Sequence, residues 1–172
     1  MRLTRRTALA AIASLPALAH AGIAVAAETA STVTLSLWDK GPTSMDMMDT
    51  HPMMGMAMMK GADMSVVTMG IKADVSSIPA GEITFTVAND SKDMVHEMIV
   101  APISSDATAL PYLADEEAVD EDAAGAIGEV SELDPGKAGT LTLHLQPGEY
   151  ILFCNIPGHY ALGMWTLLTV TG

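Results

Sequence analysis

The C-terminal part of the chain contains a short loop between two stretches that have the residue pattern of β-strands. The stretches are residues 150–154 and 165–170, and both are apolar and rich in β-branched or aromatic residues. The end of the first stretch and the loop after it carry two sulfur atoms and an imidazole at C-x4-H-x4-M spacing, from Cys154, His159 and Met164. Because a strand fixes each end of the loop, these three side chains can converge on one point. The chain must therefore fold so that the two strands are neighbours.

Short alternating stretches elsewhere predict a fold made almost entirely of strands. They are separated by turn signals such as Pro135-Gly136 and Pro147-Gly148, and no long helical periodicity competes with them. About seven short strands of this kind are typical of a β-sandwich. The predicted strands before the C-terminal pair are residues 32–38, 66–75, 82–87, 95–100, 130–133 and 140–145.

The first residues predict an export signal. Arg2, Arg5 and Arg6 precede an apolar run of small residues that is too short to span a bilayer. We therefore divide the chain into an export signal at 1–27, a first strand with a Met-rich loop at 28–64, and the main domain at 65–172. The protein is expected to be periplasmic or otherwise exported, with no transmembrane segment after signal removal. The two neighbouring arginines fit either a twin-arginine or an ordinary secretory signal.

The charge of the mature chain limits its partners. Losing three arginines with the signal leaves five basic residues against 21 acidic ones, a net charge of −16. Nucleic acid is excluded, because binding it requires Lys and Arg at the phosphates. A partner protein with a basic surface would be attracted instead. The acidic run at 115–122 is interpreted as a solvated face or as part of such a docking surface.

A second imidazole would complete a metal site with the loop residues, and His96 is the best candidate. His96 lies on a predicted strand after a polar turn, whereas His20 leaves with the signal and His144 lies on the outward phase of its strand. Two His, one Cys and a weak axial Met define a mononuclear electron-transfer copper centre. The predicted ligands of one copper ion are therefore His96, Cys154, His159 and Met164.

The ligand loop resembles that of the cupredoxins, the blue-copper family that includes plastocyanin and azurin. Its C-x4-H-x4-M spacing is most similar to rusticyanin and auracyanin, and the likeness covers roughly residues 65–172. The resemblance implies a Greek-key β-sandwich with type 1 copper near one end and a role in electron transport. It also implies that His159 reaches the surface through an apolar patch formed by Pro157, Gly158, Ala161, Leu162 and Gly163.

The sequence departs from the family at three places. Glu97 follows the strand histidine where the family usually has Asn, so either it faces away from the metal or it alters the surroundings of the ligands. The other two departures are an acidic insertion at 104–126, read as a solvated excursion with a short helix, and the Met-rich loop.

The Met-rich loop supports an alternative function in copper tolerance, storage or delivery. Clustered thioethers can hold Cu(I), so a second site is a hypothesis, although Met runs also pack without metal. An enzyme is not expected, because a binuclear copper centre would need a second Cys and a multicopper oxidase would need His-x-His motifs. The residues of the possible second Cu(I) site are His51, Met53, Met54 and Met56.

Overall fold

The structure is a computed structural model that describes residues 31–47, 67–104 and 109–172. Two β-sheets face each other across an apolar core, and a small third layer covers the outer face of one sheet. The predicted export signal and most of the Met-rich loop lie outside the described residues. In the part of the chain that is described, no helix is long and apolar enough to cross a membrane.

The first sheet has four strands in the order β2-β1-β4-β9. β1 pairs with β4 in parallel, and the other two pairings in this sheet are antiparallel. A 3₁₀ turn at Pro42–Met47 follows the first strand. The strands are β1 Ser31–Asp39, β2 Met69–Ala73, β4 Gly81–Asn89 and β9 Ala138–Leu145.

The second sheet has five strands in the order β3-β11-β10-β5-β8. The neighbours β10 and β11 are antiparallel and are joined by the loop that carries Cys154, His159 and Met164. The central position of β10 places the start of this loop between two paired strands. The strands are β3 Ser77–Pro79, β5 His96–Ile103, β8 Gly128–Leu133, β10 Gly148–Phe153 and β11 Trp165–Thr171.

Buried and exposed residues alternate along the strands, and the buried residues form the core between the two sheets. In β4 the apolar residues Ile83, Phe85 and Val87 are fully buried, while the intervening residues face outward. β5 is buried on both faces, so it lacks the simple alternation of an edge strand. These observations confirm the predicted all-β sandwich.

The acidic insertion is a folded layer rather than a solvated excursion. Its described part forms two short strands, β6 Tyr112–Leu113 and β7 Ala118–Val119, and a one-turn helix, α1 Glu121–Ala124. Leu110 and Val119 from this layer pack on the outer face of the second sheet, in a cluster of their own. The predicted short helix is present, but the prediction of a solvated excursion was wrong, because a few apolar residues among many acidic ones suffice to anchor the layer.

The observed strands begin and end within a few residues of the predicted bounds, but three short strands were not predicted. The described part of the stretch predicted at 66–75 contains β2, and β3 follows as a separate strand paired in parallel with β11. Two-residue and three-residue strands such as β6, β7 and β3 contain too few residues to show alternation. Their position is set by contacts with distant parts of the chain.

Gly139 allows β8 and β9 to approach each other at one side of the sandwich. A Cβ atom at this position would lie 2.6 Å from Cγ1 of Val130, a stiff β-branched side chain in the core. We expect Gly139→Ala to lower the free energy of unfolding by about 1–3 kcal/mol through overpacking. Denaturant unfolding of the metal-free protein measures this.

Gly148→Ala is the matched control for this substitution. A Cβ atom there would meet Tyr150 at 3.8 Å, an ordinary contact, although Gly148 also belongs to a strand of the sandwich. Equal destabilisation by the two substitutions would contradict the steric explanation.

Candidate metal centre

Four strand ends meet at one end of the sandwich and carry the side chains of the candidate site. β1 ends at Asp39 and β5 begins at His96, while Cys154 directly follows β10 and Met164 directly precedes β11. The site is therefore built from both sheets, and its residues come from three separate parts of the sequence.

Three of the four predicted ligands converge at this end. Nδ1 of His96 lies 3.2 Å from Nδ1 of His159, which lies 3.4 Å from Sγ of Cys154. The candidate ligand atoms of these residues all lie within 4.8 Å of one another, and all three side chains are buried. Met164 is fully buried and belongs to the same core cluster as Cys154. The structure thus brings the predicted residues together around one point.

Backbone hydrogen bonds fold the ligand loop tightly between the two strands. The amide of Cys154 donates to the carbonyl of Met164, and the amide of Met164 donates to the carbonyl of His159, both at 3.0 Å. Gly158 has a φ of 83° and Gly163 a φ of 97°, which side-chain-bearing residues rarely adopt. The two glycines let the chain reverse direction on either side of the buried His159.

A polar turn places His96 at the start of β5. The buried Asn89 side chain donates from Nδ2 to the carbonyls of Met94 and Leu133, at 2.9 and 2.7 Å. Ser91 Oγ accepts hydrogen bonds from the amides of Asp93 and Met94. These bonds give polar groups of the turn hydrogen-bond partners within the protein, so the direction in which the chain enters β5 is fixed.

Glu97 links the two strands that carry the ligands, from the face of β5 opposite to His96. Its amide donates to Sγ of Cys154 at 3.5 Å, and its Oε1 accepts from the amide of Asn155 at 3.0 Å. The pairing of β5 with β8 shifts register here, because two residues of β8 lie opposite Glu97. Glu97 therefore contacts the sulfur of Cys154 through its amide and the backbone that follows Cys154 through its carboxylate.

Burial keeps both imidazoles neutral. It lowers the pKa of His96 although the nearby Asp39 raises it. Burial and the neighbouring His96 lower the pKa of His159 to about 4, against a smaller opposing effect of Asp39. Neutral imidazole is the form that binds metal ions, so both rings are ready for ligation near neutral pH.

Burial has the opposite effect on the acidic groups of the site. It raises the pKa of the Cys154 thiol to about 12, although the amides of Glu97 and Ile156 point at the sulfur. It also raises the pKa of Glu97 to about 7, an effect opposed by the Asn155 amide and reinforced by Glu121, Glu129 and Glu132. A buried thiolate needs a cation beside it, and a coordinated metal ion supplies that charge.

The donor set fits copper. Thiolate and thioether sulfur favour Cu(I), and imidazole suits both oxidation states of copper. The donors lie in an apolar core with no disulfide partner for Cys154, which is the one cysteine of the chain. A zinc site of the structural kind would require more Cys or His ligands than are present here.

Other predicted features of the site differ from expectation or lie beyond the described residues. His51, Met53, Met54 and Met56, the possible second Cu(I) site, are outside the described part of the chain. His144 is exposed on β9, as expected.

The apolar patch expected around His159 is mostly buried. His159 is 2% exposed, and Ala161 and Leu162 are 3% and 4% exposed. Pro157 is the exposed member of the group. The expectation of an open patch was wrong, because the ligand loop folds its apolar side chains inward against the core.

Two contributors to the site were not identified from the sequence. Asp39, at the end of β1, bonds to His96, and Asn155, next to Cys154, bonds to the outer layer. The position of Asn155 beside a predicted ligand was a usable signal. Asp39 had none, because it is 57 residues away from His96 in the sequence.

Asn155 joins the ligand loop to the outer layer through three side-chain hydrogen bonds. Oδ1 accepts from the amide of Val119 at 2.6 Å, and Nδ2 donates to the carbonyl of Val119 and to Oε1 of Glu121. We expect Asn155→Ala to lower the free energy of unfolding by about 1–3 kcal/mol, because a partly buried amide loses its acceptor. Denaturant unfolding of the metal-free protein tests this.

Ser131→Ala is the control for Asn155→Ala. Ser131 makes an exposed side-chain bond to Glu129, so its loss should have little effect. An Asn155→Ala variant as stable as the Ser131→Ala variant would show that Asn155 does not hold the outer layer.

Comparisons with known proteins identify the family of the chain. No curated protein sequence matches the chain. Its fold is similar to that of rusticyanin from Thiobacillus ferrooxidans, with 18% identity over 83% of this chain and 77% of that one and a TM-score of 0.51. Dithionite-reduced auracyanin from the photosynthetic bacterium Roseiflexus castenholzii is 29% identical over 58% of this chain and 87% of that one, with a TM-score of 0.47.

Residues 61–171 match the family described as copper binding proteins, plastocyanin/azurin family. The chain therefore belongs to the plastocyanin/azurin family, and copper is its metal.

Proposed function

We propose that this chain is an exported mononuclear blue-copper protein that carries single electrons between partner proteins. The proposal assigns His96, Cys154, His159 and Met164 as the ligands of one copper ion. The observation that carries it is the convergence of two neutral imidazoles and a buried thiol within 4.8 Å. Copper bound there would alternate between Cu(I) and Cu(II), both of which suit this mixed sulfur and nitrogen donor set.

The residues of the chain contribute rigidity and exclusion of water. The ligand loop is closed by backbone bonds between its own ends, and the turn before His96 is satisfied internally. The ligand side chains therefore have little freedom to rearrange when the charge at the site changes. A small rearrangement keeps the barrier to electron transfer low.

A carrier fits this chain better than an enzyme. The sequence has one cysteine, which excludes a binuclear centre bridged by two, and its five histidines form no His-x-His pair. The donors are also sealed in the core, with no more than 2% of any of the three side chains exposed. Electrons can reach a metal through such a layer, whereas a substrate cannot.

The proposed location and partner follow from the sequence and from the surface charge. The signal-like residues 1–27 support export to the periplasm or beyond. Asp115, Glu116 and Glu117 are exposed on the outer layer, and the backbone carbonyl of Glu117 accepts a hydrogen bond from Gly158 of the ligand loop. A partner with a basic surface attracted to this acidic layer would therefore be placed close to the site.

The copper-loaded mature protein tests the proposed ligand set. We expect one Cu(II) per chain, an intense visible absorption from the thiolate–copper bond, and complete loss of that absorption in Cys154→Ser. His144→Ala, which removes an exposed histidine away from the site, should retain it. A colourless copper-loaded protein, or a Cys154→Ser spectrum like that of the unaltered protein, would overturn the proposal.

The Met-rich loop favours copper tolerance, storage or delivery as a second candidate function. Copper titration of a variant with His51→Ala and Met→Leu changes at 53, 54 and 56 separates the two. A pure carrier should keep one tight copper and its visible absorption in this variant. Additional Cu(I) ions that bind the unaltered protein and disappear in the variant would favour the second function. Met98→Leu in the core is the matched control.

A further inference from the structure

The carboxylate of Asp39 is buried against the imidazole of His96. Its Oδ2 lies 2.9 Å from Nε2 of His96, and the two side chains are 2% and 0% exposed. A buried carboxylate at the end of a strand is unusual, because removing a charge from water is costly unless it is well hydrogen-bonded. The buried contact therefore indicates that Asp39 has a function at this site.

Hydrogen bonds hold the Asp39 carboxylate in one orientation. The amide of Gly41 donates to its Oδ1 at 2.6 Å, and the side chain of Ser91 also bonds to it. Gly41 has a φ of 101°, a conformation that favours glycine. With the contact to His96, the carboxylate therefore has hydrogen-bond partners on three residues.

The carboxylate decides which ring nitrogen of His96 carries the proton. An ionised carboxylate accepts hydrogen bonds only, so Nε2 of His96 must donate. The neutral ring then leaves the lone pair on Nδ1, the atom that faces Nδ1 of His159. A carboxylate on the far nitrogen of a metal-binding histidine fixes the ring and increases its basicity.

We propose that Asp39 is a positioning residue that presents Nδ1 of His96 to the copper and lowers the reduction potential of the site. This rests on the proposed function, in which His96 is a ligand. Cu(II) carries one more positive charge than Cu(I), so a buried anion one ring away stabilises the oxidised state more. Asp39 thus sets the protonation of the ligand and biases the charge of the metal.

Asp39→Asn tests the effect on potential. An Asn oxygen can still accept from Nε2, so the ligand set and the visible absorption should be retained. We expect the dissociation constant for Cu(II) to rise about tenfold relative to that for Cu(I). This corresponds to a reduction potential about 59 mV higher. Redox titration and separate Cu(I) and Cu(II) affinities measure the shift.

Asp90→Asn is the matched control. Asp90 lines the same cleft of about 210 Å³ as Asp39, and its carboxylate bonds to Ser36 rather than to His96. A much smaller shift in Asp90→Asn supports the proposal. Equal shifts in the two variants, or equal weakening of both copper states in Asp39→Asn, would overturn it, because a general charge effect or a structural role would then suffice.

Histidine nitrogen chemical shifts of the metal-free protein provide a test that needs no copper and no substitution. At neutral pH we expect His96 in the tautomer with its proton on Nε2; a proton on Nδ1 would overturn the proposed role. A colourless copper-loaded protein would instead overturn the proposed function itself. A blue protein with an unshifted Asp39→Asn variant would overturn the inference about Asp39 alone.

Discussion

The structure depends on one long-range contact, in which the imidazole at the start of β5 meets the loop between β10 and β11. His96 and His159 are 63 residues apart in the sequence, yet their Nδ1 atoms lie 3.2 Å apart in the core. Two neutral rings and a thiol in an apolar interior give up hydrogen bonds to water. A metal ion offsets that loss, because binding energy at such a site is also folding energy. The closed loop, the polar turn before β5 and the Asp39 contact all serve to bring these atoms together.

The sequence predicted the parts of the site that depend on local spacing. Cys154, His159 and Met164 lie on one loop between two recognisable strands, so their proximity follows from chain geometry. His96 was predicted from the chemistry of the donor set, because there were reasons against His20 and His144 as ligands. Asp39 could not be predicted, since only the register of β1 in the first sheet brings the end of that strand to the site. The fold class followed from alternation, which is a property of each strand alone.

The acidic insertion shows where composition misleads. Its many carboxylates suggested a solvated excursion, but Leu110 and Val119 anchor it on the outer face of the second sheet. Tyr160 of the ligand loop packs in the same cluster, and its hydroxyl accepts from the amide of Leu110. The insertion therefore packs against the ligand loop, while its acidic side chains stay in contact with solvent. Sequence patterns could not show this, because the two buried residues in the described part of this acidic segment leave no periodic pattern.

The position of β1 has a consequence for how the protein matures. β1 is the earliest described strand, and its last residue, Asp39, touches a ligand whose partners lie near the opposite terminus. During synthesis, β1 is present in the chain long before the residues near the opposite terminus. Contacts between residues so far apart in the sequence form slowly. The proposed copper pocket is therefore complete only once β1, β5 and the loop between β10 and β11 have come together.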